Sequence, residues 1–214
     1  LFIADHGGGA KEIGLVMGVF ALASALCSPW VSTMIDRIGR KRSFAFGCLI
    51  MAVLTLAYFA FLDGIHLLPL LAVRILHGIG LAISFTAVFT FVADLIPSDR
   101  LNEGIGIFGV SGLTGLAAGP FFAEAVLKIG GYPSFFLLSS LLASVAFCLV
   151  LLLPEGVDRG HSSSGPSFFG LFFGRKFIVV ALLSGLFGFG LAATGNFVAP
   201  LAREKGIAFL SLFY

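Results

Sequence analysis

Long apolar runs separated by short polar segments make up most of this chain. Six runs are 20 to 27 residues long and nearly free of charged side chains. A helix needs about 20 apolar residues to cross the hydrocarbon core of a bilayer. The pattern therefore predicts six membrane-spanning helices and the start of a seventh at Gly206–Tyr214. The six are Ile13–Ile35, Ser43–Leu62, Leu67–Ala93, Gly104–Leu127, Tyr132–Leu153 and Phe177–Leu201.

The same runs argue against membrane strands. Strands of an outer-membrane barrel are short and alternate apolar with polar residues, whereas these runs are apolar on every face. Over such a length in lipid, a helix satisfies its own backbone hydrogen bonds. We therefore expect an all-α polytopic membrane protein.

Composition narrows the function classes. The chain is 58% hydrophobic and 11% charged, against about 45–50% and about 25% in soluble domains. This excludes an ordinary soluble enzyme and a disordered tail. A net charge of +2 with scattered basic residues argues against nucleic-acid binding. The three cysteines lie in apolar runs without metal or disulfide spacing, and no nucleotide-binding or metal motif is present, so we expect no cofactor.

Basic residues in the connecting segments indicate orientation. Successive connecting segments lie on alternate sides of the membrane. One side holds eight basic residues and the other holds four, which favours the first side as cytoplasmic. Residues 155–175 then form a cytoplasmic linker, whose end, Ser167–Gly174, is either an interfacial amphipathic piece or an early start of the next helix. The eight are Arg37, Arg40, Lys41, Arg42, Arg100, Arg159, Arg175 and Lys176, and the four are Lys11, Lys128, Arg203 and Lys205.

The segment Ser32–Phe44 joins the first two complete runs. Gly39 suits a tight turn between two helices, and Asp36 precedes Arg40 by four residues, so the two side chains can meet on one face. On composition alone, this is a basic loop that any membrane protein could carry. The order Asp-Arg-x-Gly-Arg-Lys, formed by Asp36, Arg37, Gly39, Arg40 and Lys41, resembles the loop signature of the major facilitator superfamily.

That resemblance implies a fold. The family has two six-helix halves, and its signature loop lies between its second and third helices. By this resemblance the chain is a fragment that holds helices two to seven and the start of eight. Residues 1–154 are then the amino-terminal bundle without its first helix, and residues 176–214 begin the carboxy-terminal bundle. The ragged first residues and the final broken-off run agree with a fragment.

The third apolar run carries a second match. The fourth helix of the family reads Arg-x-x-Gln-Gly-x-Gly, and here Arg74, Gly78 and Gly80 match, with His77 in the place of Gln. The resemblance implies a proton or substrate pathway at Arg74. From the residues alone, Arg74 is an intramembrane charge that needs a partner, a wet cavity or a snorkelling route. His77 is either a titrating group or a hydrogen-bonded packing residue.

The fourth run is rich in glycine. One face of the predicted helix lacks bulky side chains because it carries Gly112, Gly115 and Gly119. Pro120 bends the helix. The Gly-Pro ending resembles the signature of exporters of the family, especially drug:proton antiporters. The plainer interpretation is small-residue helix packing.

Two carboxylates complete the candidate set. The resemblance joins Asp94, at the end of the third run, to Asp36 and Arg40 in a cytoplasmic charge cluster that acts as a conformational switch. The alternative is a static salt bridge. Glu124 is a second proton-pathway candidate or simply a solvated residue near the outer end.

Together these features predict a secondary transporter in the plasma membrane. We expect alternating access and proton-coupled efflux of small drug-like compounds by a monomer in the lipid bilayer. The alternatives are a facilitated uniporter or nutrient symporter of the same fold, or an inactive truncated membrane protein or receptor.

Overall fold

The computed structural model describes residues 2–154 and 175–206, and the elements in those ranges are helical. Residues 2–154 belong to one compact unit and the last helix to another, so each is considered by itself. The all-α fold class is thereby confirmed. The helices are α1 (Phe2–Asp5), α2 (Ala10–Ile38), α3 (Arg40–Leu56), α4 (Leu67–Leu95), α5 (Leu101–Leu152) and α6 (Arg175–Glu204), with 3₁₀ turns at Ala57–Phe61 and Ser98–Arg100.

The helix bounds follow the apolar runs closely. Helices α2, α4 and α5, and α3 with its 3₁₀ extension, are each long and apolar enough to cross a membrane. Helix α6 contains the apolar stretch Phe177–Ala192. The start of a seventh span at Gly206–Tyr214 and the linker at 155–174 lie outside the described residues.

Helix α5 contains two spans. A straight helix of 52 residues would be about 78 Å long. In the structure, however, the first and the last residues of α5 lie on the same side of the unit. Gly104 lies against Ile96 beside the end of α4, and Val150 packs against Ala45 near the start of α3. The chain reverses at Gly131, whose φ of 66° and ψ of −164° interrupt the helix. The predicted separation of Gly104–Leu127 from Tyr132–Leu153 is therefore confirmed.

The helices of the first unit pack in a row. Helix α4 contacts both α2 and α3 along its length, whereas α2 and α3 scarcely meet. The second segment of α5 (residues 132–152) packs along α3, where Ser140 Oγ donates a 2.9 Å hydrogen bond to the Ala52 carbonyl. The first segment of α5 (residues 101–130) touches the unit mainly at its start, through the rings of Phe108 and Phe89.

Small residues allow these close approaches. A Cβ added at Gly47 would lie 2.6 Å from the backbone nitrogen of Ser84, so α3 and α4 can meet only because this position has no side chain. A Cβ at Gly78 would collide with the carbonyl of Phe20 on α2. Large apolar side chains such as Leu22, Trp30 and Leu113 are exposed, as expected for surfaces that face lipid.

Candidate functional site

The junction between α2 and α3 separates two residues of the predicted switch. Helix α2 ends at Ile38 and α3 begins at Arg40. Gly39 between them has a φ of 97°, which strongly favours glycine. Asp36 and Arg40 therefore belong to different helices, and the expected one-turn spacing on a common face does not occur. Asp36 and Arg37 are exposed, and Asp36 forms no ion pair within residues 2–154.

The structure brings together Arg40 and Asp94. A guanidinium nitrogen of Arg40 pairs with a carboxylate oxygen of Asp94, whose side chain is only 7% exposed. Asp94 lies in the last turn of α4, where the helix dipole disfavours a carboxylate, and near the first turn of α3, where the dipole favours it. The pair therefore fixes the end of α4 to the start of α3.

Arg74 lies inside the unit, two turns into α4. Its guanidinium carbon is 5.7 Å from the ring centre of Phe20 on α2 and 5.1 Å from that of Tyr58 at the end of α3. Such cation–π contacts contribute about 0.5–2 kcal/mol each. An arginine within a span costs at least about 2.5 kcal/mol. Its Nε is buried and donates no hydrogen bond to any described residue.

His77 lies one turn further along α4 and is buried. Its Nδ1 is 3.1 Å from the Tyr58 hydroxyl, and its ring meets Phe20 edge-on at 5.8 Å. His77 thus has the surroundings expected of a hydrogen-bonded packing residue. Together with the neighbouring Arg74 it forms a small polar group inside the membrane span. We call Arg74, His77, Tyr58 and Phe20 the arginine cluster.

The glycines of the predicted helix-packing signature have two different surroundings. Gly78 is buried against α2. At Gly112, Gly115 and Gly119, an added Cβ would have no described atom within 4 Å, so the glycine face of α5 is open within this unit. Pro120 lies within the first segment of α5, and the non-helical backbone of α5 is at Gly131 instead.

Glu124 pairs with Lys128 one turn further along the same helix. The Lys128 Nζ is 2.7 Å from Glu124 Oε1, and the lysine side chain is 58% exposed. This places Glu124 near the turn at Gly131, at the opposite end of the unit from Asp94. Across the residues that the structure describes, no group of three or more His, Cys, Asp or Glu side chains could hold a metal ion.

Sequence reasoning missed a second polar group at that opposite end. The Tyr132 hydroxyl donates to the Asp5 carboxylate, and the two ring nitrogens of His6 lie 2.8 Å and 3.0 Å from the carbonyls of Phe2 and Leu62. These contacts fasten α1 to the turn after α3 and to the start of the second α5 segment. Asp5 and Tyr132 are 127 residues apart, so no local pattern could have paired them.

Apolar spanning helices, an intramembrane arginine and one end rich in basic residues are the features of a multi-pass membrane protein. The sequence profile of the Major Facilitator Superfamily matches residues 1–214. The chain belongs to this family, which confirms the assignment from the loop and helix motifs.

Two bacterial relatives illustrate the similarity. The chain is 22% identical over 209 residues to quinolone resistance protein NorA of Staphylococcus aureus (strain Mu50 / ATCC 700699), covering 96% of this chain and 53% of that protein. It is 27% identical over 156 residues to multidrug resistance protein 2 of Bacillus subtilis (strain 168), covering 72% and 38%. The chain thus spans about half the length of the curated relatives it matches.

Proposed function

We propose that this chain forms part of a secondary transporter that works by alternating access and exports small drug-like compounds in exchange for protons. The observation that carries the proposal is the buried Arg40–Asp94 pair, which joins two helices at the basic end of the unit. Family membership and relatives named for quinolone and multidrug resistance support the direction and the kind of substrate.

The proposed switch depends on a contact that is either made or broken. A buried ion pair is stable only while both partners stay together, because separation leaves a desolvated charge. Such a contact favours two discrete arrangements over a continuum. Asp36 and Arg37 lie in the last turn of α2, and Lys41 lies in the first turn of α3 next to Arg40. In this proposal Asp36 joins the pair in only one of the two transporter states.

The proposed pivot is the glycine face of α5. Residues 1–154 would be the amino-terminal bundle, 155–175 a cytoplasmic linker, and 176–214 the start of the second bundle. Gly112, Gly115 and Gly119 present an open surface to which a helix of the other bundle could pack closely. Replacing Gly115 with Leu should block transport. Ala117→Leu, about 160° around the helix at about 100° per residue, adds comparable bulk on another face and should leave transport intact.

We propose that the Arg40 end faces the cytoplasm of a plasma-membrane protein. Within residues 2–154, five basic residues lie at that end: Arg37, Arg40, Lys41, Arg42 and Arg100. Lys11 and Lys128 lie at the other. Single cysteines at Gly39, Ser163 and Lys128 in a cysteine-free background test this with an impermeant thiol reagent. We expect Gly39 and Ser163 on one side and Lys128 on the opposite side. Opposite sides for Gly39 and Ser163 would overturn the topology.

Arg74, His77 and Glu124 are the proposed proton or substrate pathway. Moving one charge across the membrane releases about 2.3 kcal/mol per 100 mV, and a pH gradient adds to that driving force. Flux into proteoliposomes that contain the full-length protein tests the coupling, with a fluorescent quinolone as substrate and an acidic lumen. We expect accumulation that disappears when an ionophore collapses the gradient. Flux that ignores the gradient would indicate a uniporter, and absence of flux would indicate an inactive protein.

The switch itself is tested with matched variants in the same assay. Asp36→Asn and Asp94→Asn should each abolish accumulation. Arg42→Gln removes an exposed charge two residues from Arg40 and should leave it unchanged. Normal transport by both carboxylate variants would remove the switch from the mechanism.

A further inference from the structure

One side of α2 carries an exposed stripe of apolar side chains that ends in an arginine. Leu22, Leu26 and Trp30 are each more than half exposed, and Arg37 in the last turn is exposed as well. At about 100° per residue, these four side chains lie within about 80° of one another around the helix. We call them the tryptophan stripe. It runs from the apolar middle of the span to the end of the unit that is rich in basic residues.

The spacing of Trp30 and Arg37 matches the depth profile of a bilayer. Seven residues separate them, which is about 10 Å along the helix axis and about 20° around it. Tryptophan is enriched at the membrane–water interface, where its ring lies at the level of the lipid headgroups. Helix side chains lean toward the N-terminus of their helix, so the side chain of Arg37 is inclined back toward Trp30 and the bilayer. One phospholipid can therefore contact both residues.

The charge of Arg37 is available to an external anion. Arg37 forms no ion pair with a carboxylate of residues 2–154. Asp36 is its neighbour in sequence but lies about 100° around the helix. Lys41 and Arg42 add two positive charges within five residues of Arg37, so this corner of the unit keeps a net positive charge despite Asp36.

We propose that the tryptophan stripe binds an anionic phospholipid, with the headgroup phosphate on Arg37 and the glycerol and acyl chains along Trp30 and the two leucines. The site distinguishes lipids by net charge, because the choline of phosphatidylcholine cancels the charge of its phosphate whereas phosphatidylglycerol keeps it. Basic side chains at a membrane surface attract anionic lipids in this way. The inference concerns lipid contact alone, so it holds or fails independently of the proposed transport function.

Fluorescence of Trp30 tests the proposal directly, since Trp30 is the single tryptophan of the 214 residues. The full-length protein is reconstituted in mixtures of phosphatidylglycerol and phosphatidylcholine, with the acyl chains of one lipid brominated so that they quench an indole on contact. The signal of Trp30 is the difference between the unaltered protein and Trp30→Phe. We expect phosphatidylglycerol to be preferred about fivefold, as one basic side chain near the surface implies. Equal quenching by both lipids, or by neither, would overturn the proposal.

Matched variants distinguish a site from general surface charge. Arg37→Gln should abolish the preference, and Arg37→Lys should retain most of it because the positive charge stays. Arg42→Gln removes one exposed charge from the same end of the unit, but the exposed face below it carries Phe46 and Leu49 instead of a tryptophan. It should leave the preference at Trp30 unchanged. An equal loss in Arg37→Gln and Arg42→Gln would mean diffuse attraction and would overturn the site.

A competition measurement distinguishes a lipid from a free anion. Inorganic phosphate, added at constant ionic strength, should not displace phosphatidylglycerol from Trp30, because the acyl chains along the tryptophan stripe contribute to binding. Displacement by inorganic phosphate would mean that Arg37 recognises the anion alone, and it would overturn the assignment of a lipid to this site.

Discussion

Helix α4 and the first segment of α5 are both long, apolar and supplied with glycine, yet they are placed very differently. Helix α4 is enclosed by α2 and α3, with Gly78 and Gly80 at contacts where a methyl group would not fit. The glycine face of α5 meets nothing within its own unit. The same residue type thus allows packing in one helix and leaves an open surface in the other. Changes at the glycines of α4 should therefore affect stability, while changes at the glycine face of the first α5 segment should affect it little.

The largest expected effect is at the charged end of α4. Arg40→Gln leaves the Asp94 carboxylate buried without its partner, which should lower the free energy of unfolding by about 3 kcal/mol or more. Unfolding by SDS in detergent micelles measures this. The exchange Arg40→Asp with Asp94→Arg should recover part of the loss, and Arg42→Gln should have almost no effect. A small loss for Arg40→Gln would mean that the pair is not desolvated.

A direct comparison of the two glycine environments gives the next largest effect. Gly78→Val forces a side chain into the Phe20 backbone and should cost about 1–3 kcal/mol, the usual range for overpacking. Gly112→Val places the same side chain in open space and should leave the unfolding free energy nearly unchanged. Equal destabilisation by the two variants in the same SDS assay would contradict the conclusion that α4 is tightly packed at its glycines and α5 is not.

A smaller effect is expected from the hydrogen bond between Tyr58 and His77. Tyr58→Phe keeps the ring beside Arg74 but removes the hydroxyl, and polar contacts between membrane helices average about 0.6 kcal/mol. Ser111→Ala on α5 is the control, because its hydroxyl bonds only to the Phe108 carbonyl of its own helix. Tyr58→Phe should lower the thermal unfolding temperature more than Ser111→Ala does, and a reversed order would contradict the assignment of α4 as the stabilising helix.

The smallest effect is expected at the exposed pair on α5. Lys128→Gln removes a partner of Glu124, and surface pairs of this spacing contribute about 0.3–0.5 kcal/mol. The loss should vanish at high salt, since screening weakens exposed pairs. A large loss of unfolding free energy that does not depend on salt would mean that the pair is buried, and therefore that another part of the protein covers this face of α5.

The spans could be predicted well from the sequence because a bilayer imposes one simple requirement, a run of apolar residues long enough to cross its hydrocarbon core. The sequence also located the break before Tyr132, since Lys128, Gly130 and Gly131 interrupt the apolar pattern there. It did not predict the arginine cluster, because Phe20, Tyr58 and Arg74 come from three helices whose relative register no local pattern records. The separation of Asp36 from Arg40 was missed for a local reason. Their four-residue spacing matters only within one helix, and Gly39 ends it.

The reversal at Gly131 has a consequence for biogenesis. Because residues 101 and 152 lie at the same end of the unit, the two segments of α5 form a hairpin, and with the Arg40 end on the proposed cytoplasmic side its tip would carry Lys128 across the hydrocarbon. Translocating a lone lysine is costly. Glu124, one turn away on the same helix, pairs with Lys128 in the folded protein, and the same pair would neutralise that charge during the crossing. A contact that contributes little to the stability of the folded protein would thus lower the barrier to its insertion in the membrane.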